Sequence, residues 1–349
     1  MFFQKHRTTE KEIDEQLAGT FPASDPPSWT LGHDSDKSFM NAMRINNYGG
    51  PEQLHYENVP IPEVHDGEIL VKVLGASVNP IDCKLASGAL RPVMNNKAIP
   101  LPWVPGCDFC GIIEEISEDV HVFKKGDEVY GNCPAGGAYA QFVIARADSV
   151  AIKPPTLGFI EAASVPVAGL TAWQGLFNHG CLEKGKTVLI HGGAGGVGSF
   201  AIQLSHWKNA KVIATGSFDH LKYLKELGAD EVIDYKAVAF ETIIKNVDLV
   251  LDLVGGETQE RSFKVIKPGG VLVSTISPPS PEAVKEYKIN ALMMTMKPLA
   301  EQLRKLTELF LDGGIKTQVT KVYPLMQVQE AWSDILSHHT KGKIVLEVS

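Results

Sequence analysis

The chain has 349 residues, enough for about two domains of ordinary size. Its 44% hydrophobic and 21% charged content suits globular cores, and 41 acidic against 33 basic residues leave a net charge of -8, which disfavours sequence-independent binding to nucleic acid. The longest uncharged runs, residues 162–182 and 187–207, are interrupted by Pro166, Gln174, Asn178 and a cluster of glycines, so neither reads as a membrane span.

The N-terminus, MFFQKHRTTEKEIDEQ, turns charged at once and has no apolar core, so no secretory signal is expected and the protein reads as cytoplasmic. Thr9–Leu17 reads as a short charged helix. TFPASDPPSW follows, and its prolines from Pro22 to Pro27 favour an extended chain. Residues 1–40 form an extension, either without fixed structure or strapped to the surface through Phe21 and Trp29.

From Asn41 the pattern is β-rich. Apolar runs such as Ile69–Leu74, Gly111–Ile116 and Tyr139–Ile144 are separated by glycine, proline and charged turns, which predicts a compact, largely antiparallel β domain. The five cysteines, at 83, 107, 110, 133 and 181, are no disulfide framework. The CxxC of Cys107 and Cys110 lacks a second ligand pair for structural zinc, so buried free thiols are expected.

From about Ala162, strand-like runs alternate with helix-length segments. Thr187–His191 precedes a helix to Trp207, and Lys211–Thr215 precedes a helix to Leu227. Asp248–Leu253 and Val271–Thr275 are further strands, Leu299–Phe310 is a helix, and Lys343–Val348 is a final strand after Gly342. Such alternation predicts βαβ units and a parallel sheet, an α/β fold.

The sharpest motif lies in residues 187–207, TVLIHGGAGGVGSFAIQLSHW, with GxGxxG at Gly193, Gly195 and Gly198. A strand precedes it, an apolar-periodic helix follows, and a second strand begins at Lys211, the context a dinucleotide-binding loop requires. Glycines there permit a tight turn, a close approach to pyrophosphate and close helix–strand packing, while the helix start at Gly196, Val197 and Gly198 offers N–H groups to phosphates. Ala194 completes the loop.

The second strand ends in Thr215, Gly216 and Ser217, where an NAD site usually carries an acid for the ribose 2′-hydroxyl. A hydroxyl there suits a 2′-phosphate, which a carboxylate repels, so NADPH is the expected cofactor. Ser217 is the primary candidate, with His220, Lys222 and Tyr235 as further donors.

The chain resembles the zinc-independent quinone oxidoreductase branch of the medium-chain dehydrogenase/reductase superfamily. The resemblance runs from about Met43 to Val348 and is carried by several motifs in order. These are SVNPID at 77–82, PGCDFCG at 105–111, KGDEVYG at 125–131, GAYAQFV at 137–143 and AASVPVAGLTAW at 162–173. LGADEVIDY at 227–235, DLVGGE at 252–257 and KGKIVLEV at 341–348 follow the glycine loop. It implies a GroES-like catalytic domain over 41–163, a Rossmann NADPH-binding domain over 164–297, and a segment 298–349 returning to the first domain, with the active site between them.

Zinc-dependent members of that superfamily carry Cys, His and Cys where this chain has Asn79, Cys107 and about Val167, and no structural cysteine lobe lies between Cys110 and Cys133. No metal site is therefore expected, since catalytic zinc needs three protein ligands. The resemblance implies that Asn79 orients the nicotinamide ribose or the substrate. It places Lys84 where some relatives have tyrosine, to stabilise an enolate or quinol anion; the identity of the proton donor stays open. It further implies cofactor contacts from Thr171, Val254, Gly255 and Lys341, with His220 standing where relatives often have lysine. The expected activity is NADPH-dependent reduction of quinones or α,β-unsaturated carbonyls, the alternative being a non-catalytic NADPH-binding protein. By the same analogy a homodimer is expected, joined near the strand Val271–Thr275.

Overall fold

A computed structural model describes residues 38–91, 98–337 and 340–349. The expected helix at 9–17 and the proline-rich stretch after it lie outside the described residues.

Strands β1 (Phe39–Ile45) and β2 (Leu54–Pro60) form an antiparallel ribbon. Five more strands follow: β3 (Glu68–Val78), β4 (Asp108–Ile116), β5 (Glu128–Asn132), β6 (Phe142–Arg146) and β7 (Val150–Ile152). β3, rich in branched side chains, is the spine. It is antiparallel to β4 and to β6 and is buried along most of its length, so its residues face covering layers on both sides. The expected strand Tyr139–Ile144 is found three residues later as β6, because Ala140 instead forms an isolated pair with Ala42. The core of this half gathers Trp103, Phe109, Tyr139 and Trp332.

The second half is a six-stranded, all-parallel sheet of β8 (Thr187–Ile190), β9 (Lys211–Gly216), β10 (Glu231–Asp234), β11 (Val247–Asp252), β12 (Ile266–Ser274) and β13 (Asn290–Met293). Its order, β10-β9-β8-β11-β12-β13, is the doubly wound dinucleotide-binding arrangement, with the switch point between β8 and β11. The helix Gly196–Trp207 makes the crossover from β8 to β9. The expected helix to Leu227 is a 3-10 turn, Phe218–His220, followed by the helix Leu221–Glu226.

Of the strand Val271–Thr275, near which a dimer contact is expected, residues 271–274 lie in β12, which pairs with β11 on one side and β13 on the other, so the neighbouring free edge is β13.

The chain then returns. The helix Ala300–Leu311 joins the second core, and β14 (Val319–Pro324) pairs in parallel with β15 (Lys343–Glu347). β15 lies antiparallel to β3, so the first half is completed by residues more than 260 positions from β3's own end. Cys83, Cys107, Cys110 and Cys133 are buried free thiols and Cys181 is exposed. Among the described residues, no helix is long and apolar enough to cross a membrane.

Candidate active site

The carboxyl ends of β8, β9 and β10 lie side by side and carry the glycine loop, Ser217 and Tyr235. The three glycines of the motif meet different demands. A Cβ on Gly193 would crowd Leu224, Ala214 and Ile202 at 3.1–3.2 Å, and one on Gly198 would lie 2.7 Å from the Gly193 Cα. At Gly195 the nearest atom would be 3.6 Å away, so the loop is open on that side. Two glycines thus serve packing and the third leaves the approach clear. The first-turn N–H groups of Gly196, Val197 and Gly198 have no intrahelical acceptor and sit at the positive end of the helix dipole. These features fit a dinucleotide pyrophosphate.

Ser217 starts the turn after β9, and its hydroxyl is 3.3 Å from His220 Nδ1. Tyr235 donates its backbone N–H to Gly216 and is half-exposed beside it. The structure therefore brings Ser217, His220 and Tyr235 to one edge. Lys222 is turned out from its helix, exposed and paired with Glu226 at 3.7 Å. Across the switch point, Val254 and Gly255 form a turn whose N–H groups both donate to buried Asp252, and Gly255 has φ +74°. Val254 is half-exposed there. Thr171 is buried on the helix Pro166–Trp173.

The facing half supplies a buried polar cluster at the ends of β3, β4 and β5. Asp108 is its centre. Its Oδ2 accepts from Ser77 Oγ (2.8 Å) and Asn79 Nδ2 (2.9 Å); its Oδ1 accepts from Asn132 Nδ2 (3.2 Å) and the Val167 N–H (2.9 Å). The last donor belongs to the first turn of the helix that leads into the second half. The ammonium of Lys343 donates to Asn79 Oδ1 at 2.5 Å and Val78 O at 3.3 Å and lies 3.9 Å from Asp108 Oδ2. Burial pushes the Asp108 carboxyl up, opposed chiefly by Lys343, and pushes Lys343 down, opposed chiefly by Asp108. Asp82 accepts from the Asn79 N–H (2.9 Å) and the Tyr139 hydroxyl (3.0 Å), and burial raises its pKa to about 6.

Two lysines exchange prominence relative to expectation. Lys341 lies with its ammonium 4.1 Å from the Tyr223 ring centroid, whereas Lys343 enters the cluster. Lys84 is exposed on the helix Pro80–Ala86 and makes no side-chain hydrogen bond or ion pair among the described residues. Asn79 is buried, and its amide is engaged at both ends, so it acts as a strut between Asp108 and Lys343. Of the residues not anticipated, Asp82 had a local signal: N-x-x-D from Asn79 is a helix-capping pattern. Asp108, Asn132 and Lys343 had none, because strand register and the returning C-terminus assemble them.

A groove of about 660 Å³ bordered by Trp173, Phe177, Trp207, Lys208 and Leu309 shares no residue with either group.

Residues 65–155 match the family model for the alcohol dehydrogenase GroES-like domain, and residues 227–346 match that for zinc-binding dehydrogenase. A chloroplast envelope quinone oxidoreductase homolog of Arabidopsis thaliana is 33% identical over 88% of this chain and 98% of its own length. A chloroplastic NADPH-dependent alkenal/one oxidoreductase of the same plant is 32% identical, covering 88% and 79% respectively. The solved quinone oxidoreductase of Coxiella burnetii superposes with a TM-score of 0.83 at 34% identity, covering 89% of this chain and 100% of that one.

The word zinc in the second model does not fit the residues here. Val167 offers no side-chain ligand and the Asn79 amide is engaged, which leaves Cys107 alone of the three positions, short of the three protein ligands that catalytic zinc needs. Among the described residues no three His, Cys, Asp or Glu side chains converge on a metal position.

Proposed function

Since the chain belongs to the quinone oxidoreductase branch of the medium-chain dehydrogenase/reductase superfamily, we propose that it reduces quinones and α,β-unsaturated carbonyls with NADPH by direct hydride transfer. The observation that carries this reading is the contact between the two halves of the site. Gly342 donates its N–H to Ala194 in the glycine loop at 2.8 Å, and the next residue, Lys343, reaches the Asn79–Asp108 cluster.

Reduced nicotinamide, when bound, supplies a hydride to an electrophilic carbon. The conjugated carbonyl oxygen takes up the negative charge, and a proton then completes the product. The chain's part is to bind, orient and polarise. The glycine loop and the start of its helix hold the pyrophosphate. Lys343, buried beside Asp108, donates to Asn79 Oδ1 and so holds the turn that faces the glycine loop. Lys84, exposed on the helix that follows Asn79, is the candidate for stabilising the anion at the carbonyl oxygen in the same proposal.

NADPH is preferred to NADH in this reading because Ser217 and His220, with Tyr235 beside them, present donors and no carboxylate at the end of β9. A dimer joined through the free edge of β13 is part of the same proposal.

The test is NADPH consumption, followed by absorbance, over a panel of quinones, enones and enals. Turnover with at least one class supports the reading. A protein that shifts NADPH fluorescence yet consumes none with any acceptor is a binder, and the proposal fails.

A further inference from the structure

Lys343 crosses from one half of the molecule to the other. Its backbone follows Gly342, which bonds to Ala194 and pairs with Gly195. Its stem lies on Gly196, where an added Cβ would stand 2.6 Å from Lys343 Cδ. Its ammonium ends on Asn79 Oδ1 and Val78 O, beside Asp108. A buried ammonium is tolerated only with partners, and here Asp108 and two carbonyl oxygens supply them. The stem is therefore anchored at its far end and passes at its middle so close to the first residue of the pyrophosphate-facing helix that no side chain fits between them. A displacement of Gly196 would reach the stem, and through it Asn79, because close-packed interiors transmit displacement.

We propose that Lys343 is a positioning residue that registers the Asn79 turn with the cofactor loop, so that NADPH bound at Gly195–Gly198 tightens residues 77–82. The inference rests on the NADPH-binding part of the proposed function, and it does not require Lys343 to touch the substrate. Asn79 N–H is held by Asp82, which ties the turn to the start of the helix Pro80–Ala86.

The test is amide hydrogen exchange of the segment 76–86, with and without NADPH, in wild type, Lys343→Met and Lys343→Arg. Methionine keeps a stem of similar length and removes the ammonium; arginine keeps the charge. In wild type NADPH slows exchange in this segment by about fivefold or more, as expected for a local opening that the ligand suppresses. Lys343→Met loses that effect while its NADPH Kd stays within about fivefold of wild type, and Lys343→Arg retains part of it. In turnover, Lys343→Met lowers kcat by roughly tenfold with a smaller change in the KM for NADPH, and the primary isotope effect from 4-deuterated NADPH increases.

If Lys343→Met does not fold, Asn79→Ala removes the same link from its other end and is expected to abolish the NADPH effect on the segment equally. Wild-type protection in Lys343→Met, or no protection in wild-type protein that binds NADPH, overturns the inference. Protection without turnover of any acceptor instead overturns the reading of function and leaves the inference standing. No binding of NADPH removes both.

Discussion

Lys343 Nζ lies 2.5 Å from Asn79 Oδ1 across 264 residues of sequence. That contact closes the site: β15 returns beside β3 and places a cation among Ser77, Asn79, Asp108 and Asn132. The carboxylate of Asp108 satisfies four donors and faces the ammonium, so the cluster depends on it.

Asp108→Ala takes the acceptor from the Ser77 hydroxyl and the Val167 N–H, leaves the Asn79 and Asn132 amide N–H groups only their contacts to Ser77 and Cys107, and removes the carboxyl beside the Lys343 amine. The expected loss of stability is about 3–5 kcal/mol, read by urea unfolding. Asp108→Asn restores an acceptor and some of the loss. A change below about 1 kcal/mol for the alanine variant contradicts the central place given to Asp108.

The glycine loop separates packing from binding. Gly198→Ala places a Cβ 2.7 Å from the Gly193 Cα, against backbone that cannot yield, so it should cost about 1–3 kcal/mol of stability and also weaken NADPH binding. Gly195→Ala meets nothing nearer than 3.6 Å, and Gly195 has φ -74°, so the fold should lose no more than about 0.5 kcal/mol. Its methyl group instead occupies the open approach to the pyrophosphate, and the NADPH Kd should rise by about tenfold or more. Thermal unfolding and fluorescence titration of the pair separate the two effects; equal stability losses contradict the assignment.

What could be read from the sequence was what is local. The strand, glycines and helix of 187–207 specify one another over some twenty residues, and β8 and Gly196–Trp207 appear where the pattern puts them. The helix Pro281–Tyr287 and β13 are not among the elements expected from the pattern, although Ser280 caps the helix and Pro281 occupies its first turn, a start signal legible in S-P-E. Lys343 was hidden for another reason. In KIVLEV it alternates with the apolar positions and reads as the polar face of a strand, yet β15 lies between β14 and β3 and is covered on both faces, burying Lys343 and Val345 alike. Only the tertiary arrangement distinguishes it from Lys341.

In the proposed function, cofactor choice depends on Ser217. A preference for NADPH over NADH of at least tenfold is expected, about 1.4 kcal/mol, a modest demand for charge-assisted hydrogen bonds to a 2′-phosphate. Ser217→Asp should weaken NADPH binding and spare or improve NADH binding; Ser217→Ala should cause a smaller loss. Removal of the His220 or Tyr235 side chain should weaken NADPH selectively. Equal affinities in wild type, or equal changes in Ser217→Asp, contradict a 2′-phosphate site here.

Two buried groups pull stability in opposite directions with pH. His191, bonded to Thr215 and Ser262, is held down by burial to about 4 from 6.5. The unfolded chain takes up its proton first as pH falls through 6.5, so His191 costs stability down to about pH 4. Asp82 is raised by burial from 3.8 to about 6, so the folded chain takes up its proton first and gains stability on acidification between those values. Each effect is about 3 kcal/mol at full extent, and they nearly cancel. Asp82→Asn should therefore make stability fall more steeply than wild type from pH 6.5 to 4.5, and His191→Gln should make it fall less or rise. Urea unfolding across that range decides, and parallel pH profiles for all three proteins contradict the assignment.

The most direct measurement of the central claim is the fate of deuterium from NADPH deuterated at the transferring C4 position, during reduction of an α,β-unsaturated ketone. The account predicts one deuterium at the β-carbon of the saturated product and solvent hydrogen at the α-carbon, with NADPH consumed mole for mole. Product free of deuterium, or unchanged ketone beside unconsumed NADPH across the enone and quinone panel, contradicts direct hydride transfer and the function built on it.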